Sequence, residues 1–295
     1  MKPDFKQQMR LDCEKIEQAL AHYLPKTEEN YRVIYDAAHY SLMAGGKRIR
    51  PFLALSFCRL FGGDEALALR FGCALEMIHT YSLIHDDLPC MDNDTLRRGK
   101  PTNHVVFGED MALLAGDTLL TQAFAVASGA GNPVLCCRAV QILSEQAGIN
   151  GMIGGQVLDL LGEKEHCDFE TLLSMHEKKT TALIRAACLL GCVSAGVTEP
   201  QSAQMRAACD YAHGIGLTFQ IVDDLLDRYG DTALLGKHTG GDAENGKTTF
   251  LSFMDAEQAK AYAQELTEKA KTALAPYPEN ETLCALADYL LTRNS

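Results

Sequence analysis

The feature that most constrains this chain is its hydrophobic rhythm. Apolar residues recur at three- and four-residue steps, as in Leu67, Phe71, Leu75 and Ile78, and period-two alternation of β-branched residues is nearly absent. An α-helix turns once every ~3.6 residues, so this rhythm gathers apolar side chains on one helical face, whereas a strand needs alternation. The nine prolines (Pro3, Pro25, Pro51, Pro89, Pro101, Pro133, Pro200, Pro276 and Pro278) leave long stretches between them. Those stretches are rich in the strong helix formers Ala, Leu, Met, Glu, Gln and Lys. The chain is expected to be an all-α protein of ten or more helices, clearest around 65–88, 112–128, 134–148 and 203–227. The run MALLAGDTLLTQAFAVA at 111–127 is apolar on more than one face. Such a helix is enclosed by others or lies at a subunit interface, which predicts a homodimer. No Ser/Gly/Pro-rich or charged linker divides the sequence, so a single large helical domain over 1–295 is expected.

Composition removes several classes of function. With 47% hydrophobic and 22% charged residues in 295, disorder is excluded as the main state. No apolar stretch approaches the ~18 residues of a membrane span, and the opening MKPDFKQQMR lacks the pattern of a signal peptide. A cytoplasmic protein without stable membrane insertion is expected. Lys plus Arg number 27 against 39 Asp plus Glu, a net charge of -12, whose average field repels nucleic acid. The 11 cysteines form no CxxC. Cys188 and Cys192 stand one helical turn apart but lack a second pair at zinc spacing, so small buried hydrophobes in a reducing compartment are the simpler reading.

Two acidic clusters carry the chemistry. Asp86-Asp87-Leu-Pro-Cys-Met-Asp92-Asn-Asp94 follows the apolar run YSLIH, and Asp223-Asp224-Leu-Leu-Asp227 follows LTFQIV some 137 residues later. Asp223 and Asp227 are four apart and share a helix face, joined by Gln220 one turn earlier. Pro89 should stop the first helix near Leu88, so Asp92 must fold back beside Asp86 from the turn beyond. Aspartates favour helix starts, and several at helix ends are electrostatically costly. Like charges ~4 Å apart repel by about 4 kcal/mol at an effective dielectric near 20. A cation should offset this, and oxygen-only ligands shared with substrate phosphates point to Mg²⁺.

Basic residues supply the complementary anion site. Gly45-Gly46-Lys47-Arg48-Ile49-Arg50-Pro51 is a glycine turn followed by three cations, and Arg97-Arg98-Gly99 comes directly after the first acidic cluster. Arg suits bidentate phosphate contacts and Lys point-charge contacts, while a P-loop is absent. His79 precedes Asp86 by seven residues, ~700° of helix at ~100° per residue, so both share nearly one face. A phosphate-donor role for His79 follows, with His85 left as supporting or structural.

Together GGKRIRP, HTYSLIHDDLPCMDNDTLRRGKPTNH, GGQVLDL, KKTTALI and FQIVDDLLD, running in this order from Tyr31 to the closing LADYLLTRNS, resemble the trans-isoprenyl diphosphate synthase family. The likeness is to its bacterial-type farnesyl and its plant and bacterial geranylgeranyl diphosphate synthases. It implies an all-α fold with a deep central cavity, two aspartate-rich motifs facing across its mouth, a homodimer, and three Mg²⁺ ions per site, with Mn²⁺ able to substitute. By motif match, Asp86, Asp92 and Asp223 would ligate metal, while Asp87 and Asp227 would act around them, through water. Lys47, Arg50, His79 and Arg98 would hold isopentenyl diphosphate. Arg97, Lys179, Thr180, Gln220 and Lys237 would hold the allylic diphosphate, dimethylallyl and then geranyl. Lys247 matches a further family lysine near the closing C-terminal loop, and Gln156 and Asp159 would line or support the site. Asp86, Asp92, Asp223, Lys179 and Lys237 would carry the catalysis.

The implied chemistry is departure of diphosphate from the allylic C1, attack by the isopentenyl double bond and loss of a proton to the departing diphosphate, with no side-chain nucleophile. The first motif carries two more residues than DDxxD, and Tyr81 lies five before it, ~7.5 Å down the helix from Asp86. With the neighbouring Ser82, Tyr81 would set product length. An aromatic there resembles the farnesyl enzymes, so farnesyl diphosphate (C15) is the expected product and geranylgeranyl diphosphate (C20) the alternative. A terpene cyclase is disfavoured by the repeated DDxxD and the Lys47/Arg50/His79 group, and a non-catalytic subunit by the completeness of both motifs.

Overall fold

The computed structural model describes residues 4–162, 167–229 and 247–293. Apart from a two-residue antiparallel ladder pairing Leu96–Arg97 with Lys100–Pro101, its regular structure is helical. The α-helices are α1 (Phe5–Tyr23), α2 (Val33–Leu42), α3 (Ile49–Leu60), α4 (Glu65–Asp86), α5 (Asn103–Phe107), α6 (Glu109–Ser128), α7 (Pro133–Ala147), α8 (Met152–Gly162), α9 (Phe169–His176), α10 (Ala182–Ser194), α11 (Ala203–Tyr229), α12 (Ala256–Ala273) and α13 (Glu281–Thr292). A π-helix at Glu177–Thr181 joins α9 to α10, and a 3₁₀ turn spans Phe250–Ser252.

Local sequence explains the clearest boundaries. Asp64 caps α4 by accepting from the Ala66 and Leu67 amides, Asn132 caps α7 with Pro133 at its first position, and Asp255 forms a capping box with Gln258 on α12. Helix α4 ends at Asp86 rather than Leu88. The residue before a proline is driven out of the helical region, so Leu88 gives up its place, and the chain closes with a tighter Leu88 N–H to His85 carbonyl bond.

Helix α4 is central, packed against α3, α6 and α10, and α10 also touches α3, α7 and α11. The main core includes Phe52, Phe57, Phe71, Leu75, Met77, Leu190 and Tyr211. A smaller core of Leu172, Met175, Leu217, Ile221, Phe250, Ala263 and Leu266 lies where α9, α11, α12 and the 3₁₀ turn meet.

One sequence expectation is corrected. The 20-residue α6 is, by length and composition, long and apolar enough to cross a membrane, which the sequence reading did not expect of any stretch. It packs Ala112, Ala115, Gly116, Leu119 and Ala123 inward yet leaves Leu113 and Leu114 exposed, and apolar residues on both faces raise its hydropathy. Cys188 and Cys192 are buried and free, their thiols pushed up by desolvation, which favours the inert reading.

Candidate active site

The carboxylate side of the site begins at the end of α4. The chain folds back there, the Asp92 amide donating 2.9 Å to the Asp86 carbonyl, so the expected return of Asp92 to Asp86 occurs. Burial, opposed by Lys179 and Arg97 and reinforced by Asp92 and Asp87, pushes the Asp86 carboxyl up to about 6. Asp87 faces the other way and is buried. Arg97 Nε donates to both its oxygens at 2.8 and 2.9 Å, and Arg97 Nη2 lies 2.6 Å from Oδ1. Asp87 therefore acts on the site by fixing Arg97, which also reaches Asp94 at 3.5 Å.

The second carboxylate group lies on α11. Asp223 is 3.2 Å from Arg293 Nη2, a contact held in place by Arg293 stacking on Phe219 at 4.0 Å and donating to the Phe219 carbonyl. Asp227 follows one turn later. Asp224, between them, is buried. Gln220 does not stand free for a ligand: its Nε2 donates to Asp224 Oδ1 at 3.0 Å, and its Oε1 accepts from the Thr180 hydroxyl at 3.3 Å.

The π-helix brings Lys179 and Thr180 between these groups. Lys179 Nζ contacts Asp159 Oδ2 at 2.6 Å and lowers the Asp86 carboxyl through its charge. Gly155 of α8 lets this happen, because a Cβ there would overlap the Lys179 backbone nitrogen. Gln156 keeps a buried amide nitrogen without a partner. Lys247 lines a cleft with Asp159. Lys237 lies outside the described residues.

The cationic side forms from the 45–50 loop, α4 and the turn after it. Arg98 donates to the Gly45 carbonyl, and Arg50 has a buried Nε without a partner. Desolvation, then the charges of Arg50, Arg98, Arg97 and Arg48, hold His79 well below the usual imidazole range, so it is neutral. Desolvation and the Arg293 charge lower Lys47, with Asp223 opposing, which puts the 45–50 loop and α11 in one electrostatic site. Arg48 corrects the reading of three phosphate-facing cations. Its left-handed backbone (φ 47) turns it inward, where Nε meets Glu17 at 2.7 Å, Nη1 meets Glu76 at 2.9 Å, and Nη2 donates to the Leu42 carbonyl at 2.6 Å.

Below the site, Tyr81 is 6% exposed, its hydroxyl unpartnered and its ring edge-on to His85 at 5.6 Å. His85 is braced by the Leu113 carbonyl at 3.0 Å and fits only because residue 116 is glycine. Ser82 donates to the His79 carbonyl at 2.9 Å.

Sequence reasoning did not reach Glu17, Glu76, His176 or Arg293, and it counted Asp224 in the second acidic cluster without giving it a role of its own. Their signals were an acid among apolar residues (Glu76), a second aspartate in each pair, and a lone terminal cation. Among the described residues no three metal-ligating side chains cluster by themselves. The donors nonetheless fit Mg²⁺: they are hard carboxylate oxygens, and burial raises the Asp86 carboxyl to about 6, a shift that a bound cation would oppose.

The helical bundle carries both a desolvated carboxylate, Asp86, and buried cations, among them Arg50 with an unpartnered Nε, a set of groups that suits a metal-bound phosphate. Residues 31–280 match the polyprenyl synthetase family, and the chain belongs to it. It is 45% identical over 301 residues to geranylgeranyl pyrophosphate synthase 3, chloroplastic, of Arabidopsis thaliana, spanning 99% of this chain and 82% of that one. An FPP/GFPP synthase from Zymomonas mobilis shares its fold with a TM-score of 0.88 and 37% identity, covering 97% of this chain and 99% of that one. The geranyltransferase of Helicobacter pylori, solved with magnesium and isoprenyl diphosphate, has a TM-score of 0.86 and 32% identity, covering 99% of each. The chain is an enzyme of the prenyl diphosphate synthase family with the all-α isoprenoid synthase fold.

Proposed function

We propose that this chain condenses isopentenyl diphosphate with dimethylallyl diphosphate and then with the lengthening allylic product, releasing diphosphate each time and ending at geranylgeranyl diphosphate. The observation that carries the reading is the pairing of two strained charge groups: Asp86, desolvated beside Asp92, and the Lys47, Arg50, His79 and Arg98 group, in which burial disfavours each charged form and Arg50 keeps a buried Nε without a partner. A metal-bound diphosphate relieves both. The likeness to the chloroplastic geranylgeranyl pyrophosphate synthase 3 of Arabidopsis thaliana supports the C20 product. One observation favours a second reading, farnesyl diphosphate: the buried Tyr81 ring, edge-on to His85, lies five residues before Asp86 on α4, where the motif match puts an aromatic residue in the farnesyl enzymes.

In this proposal Asp86, Asp92 and Asp223 would hold three Mg²⁺ ions, with Mn²⁺ able to substitute, together with the allylic diphosphate. The metal supplies positive charge where the leaving oxygens gain electrons. Arg97, oriented by Asp87, and Lys179, oriented by Asp159, add fixed positive charge to the same oxygens. Lys47, Arg50 and Arg98 hold isopentenyl diphosphate, and neutral His79 donates one hydrogen bond to it. The allylic C1–O bond breaks and its electron pair leaves with diphosphate. The isopentenyl double bond forms the new C–C bond, and the proton lost from the adduct goes to the departing diphosphate. Apolar walls around Tyr81 keep water from the cation. Exposed Leu113 and Leu114 on α6, Ile149 in the turn before α8, and Ile153, Val157 and Leu161 along α8 support a homodimer.

The test is incubation with isopentenyl and dimethylallyl diphosphate, with Mg²⁺ or with EDTA, followed by mass spectrometry. Linear prenyl diphosphate formed only with Mg²⁺ is the expected result, and its length separates C20 from C15. Cyclic hydrocarbons would indicate a cyclase, and no turnover a non-catalytic subunit.

A further inference from the structure

Asp224, the second aspartate of the second acidic motif, has none of the roles assigned above. Its carboxylate is 3% exposed, and both oxygens are engaged within the protein. Oδ1 accepts from Gln220 Nε2 at 3.0 Å, and Oδ2 accepts from the backbone amide of Phe250 at 2.9 Å. Because Gln220 Oε1 accepts from the Thr180 hydroxyl, a line of hydrogen bonds runs from the π-helix through α11 to the segment 247–252. Phe250 is held a second time through its ring, which is fully buried and stacked on His176 at 5.1 Å and 16°, the residue just before the π-helix. Three and two residues before Phe250, Lys247 and Thr248 line the cleft that contains Asp159, the partner of Lys179.

We propose that Asp224 is a positioning residue: by accepting the Phe250 amide it sets where Lys247 stands relative to Lys179 and Thr180, and it is not a metal ligand. This rests on the prenyl-transfer reading above and deepens it. A carboxylate matches the geometry because Gln220 Nε2 and the Phe250 amide both donate to it and it offers only acceptors. An asparagine would turn its own NH₂ toward one of those donors and leave a buried N–H unpaired.

Hydrogen exchange of the full chain, read on peptides containing the Phe250 amide without substrate, is the direct test. Asp224→Asn is expected to speed exchange of that amide by about ten- to a hundredfold, the worth of a buried bond to a charged acceptor; unchanged exchange would overturn the proposal. Kinetics give an independent reading. Asp224→Asn should lower turnover without changing the half-saturating Mg²⁺ concentration, and Lys247→Ala/Asp224→Asn should be no slower than Lys247→Ala alone. A tenfold rise in the Mg²⁺ requirement, rescued by excess Mg²⁺, would make Asp224 a ligand and end the account. Should Asp224→Asn fail to fold, Gln220→Met, which keeps the carboxylate but removes its orienting partner, must still speed the Phe250 amide by a smaller factor, and no change would count against the proposal. If the wild-type chain transfers no prenyl group, the functional reading fails on its own while the exchange result still decides the role of Asp224.

Discussion

Asp86→Asn should make the metal-free protein more stable while removing its activity. Asp86 occupies the last turn of α4, where the helix carbonyls already disfavour negative charge. Burial first, then the carboxylates of Asp92 and Asp87, with Lys179 and Arg97 pulling the other way, push its carboxyl up to about 6 from an ordinary ~3.9. A raised folded pKa means that the folded chain grips this proton more tightly than the unfolded chain does. The ionised form therefore costs stability in full above about pH 6, and the cost disappears below about pH 4, where both states are protonated. Two pKa units correspond to about 2–3 kcal/mol. Asparagine keeps the shape and never ionises, so at pH 8 in EDTA Asp86→Asn should melt about 3–5 °C above wild type for a chain of this size. Near pH 4.5 the gain should shrink to about a third. Calorimetric melts of both proteins at the two pH values, with and without Mg²⁺, provide the readout. Mg²⁺ should raise the wild-type melting temperature more than that of the variant. A variant melting at or below wild type at pH 8 without metal, or a gain equal at both pH values, would refute the reasoning.

Three further outcomes are expected. Tyr81→Ala or Tyr81→Met should lengthen the main product by at least one five-carbon unit, read by mass spectrometry, and an unchanged product profile would remove Tyr81 from the floor of the tail site. Asp87→Ala should leave the half-buried Arg97 without its bidentate partner, costing about 3–5 kcal/mol in urea unfolding and raising the KM for the allylic substrate; full stability would show that Arg97 finds another anchor. Gly155→Ala should force α8 away from Lys179, costing about 1–3 kcal/mol and lowering kcat, and a neutral effect would mean that α8 and the π-helix separate freely.

Much of the fold was legible because helical periodicity and caps are local properties. The expected segments 65–88, 112–128, 134–148 and 203–227 correspond to α4, α6, α7 and α11 within a few residues. The return of Asp92 to Asp86 was likewise forced by Pro89. Partner choice was not legible. Spacing places Asp87 beside Asp86 but cannot say that its carboxylate turns away to clamp Arg97, nor that Arg48, between two candidate phosphate ligands, turns inward to Glu17 and Glu76. The π-helix at Glu177–Thr181 leaves no mark in composition, because widening one turn changes neither charge nor hydropathy. Arg293 reaches Asp223 across 70 residues of sequence, a contact that only tertiary packing sets.

The central claim is that carboxylates on α4 and α11 jointly hold divalent ions against a diphosphate. A crystal structure of the chain with Mg²⁺ and an allylic thiolodiphosphate, whose C1–S bond resists ionisation, tests it most directly. The account predicts Mg²⁺ at about 2.0–2.1 Å from oxygens of Asp86, Asp92 and Asp223, with diphosphate oxygens completing the coordination and Arg97 and Lys179 turned toward the same diphosphate. Ions held by one helix alone, or a diphosphate bound away from both, would contradict it.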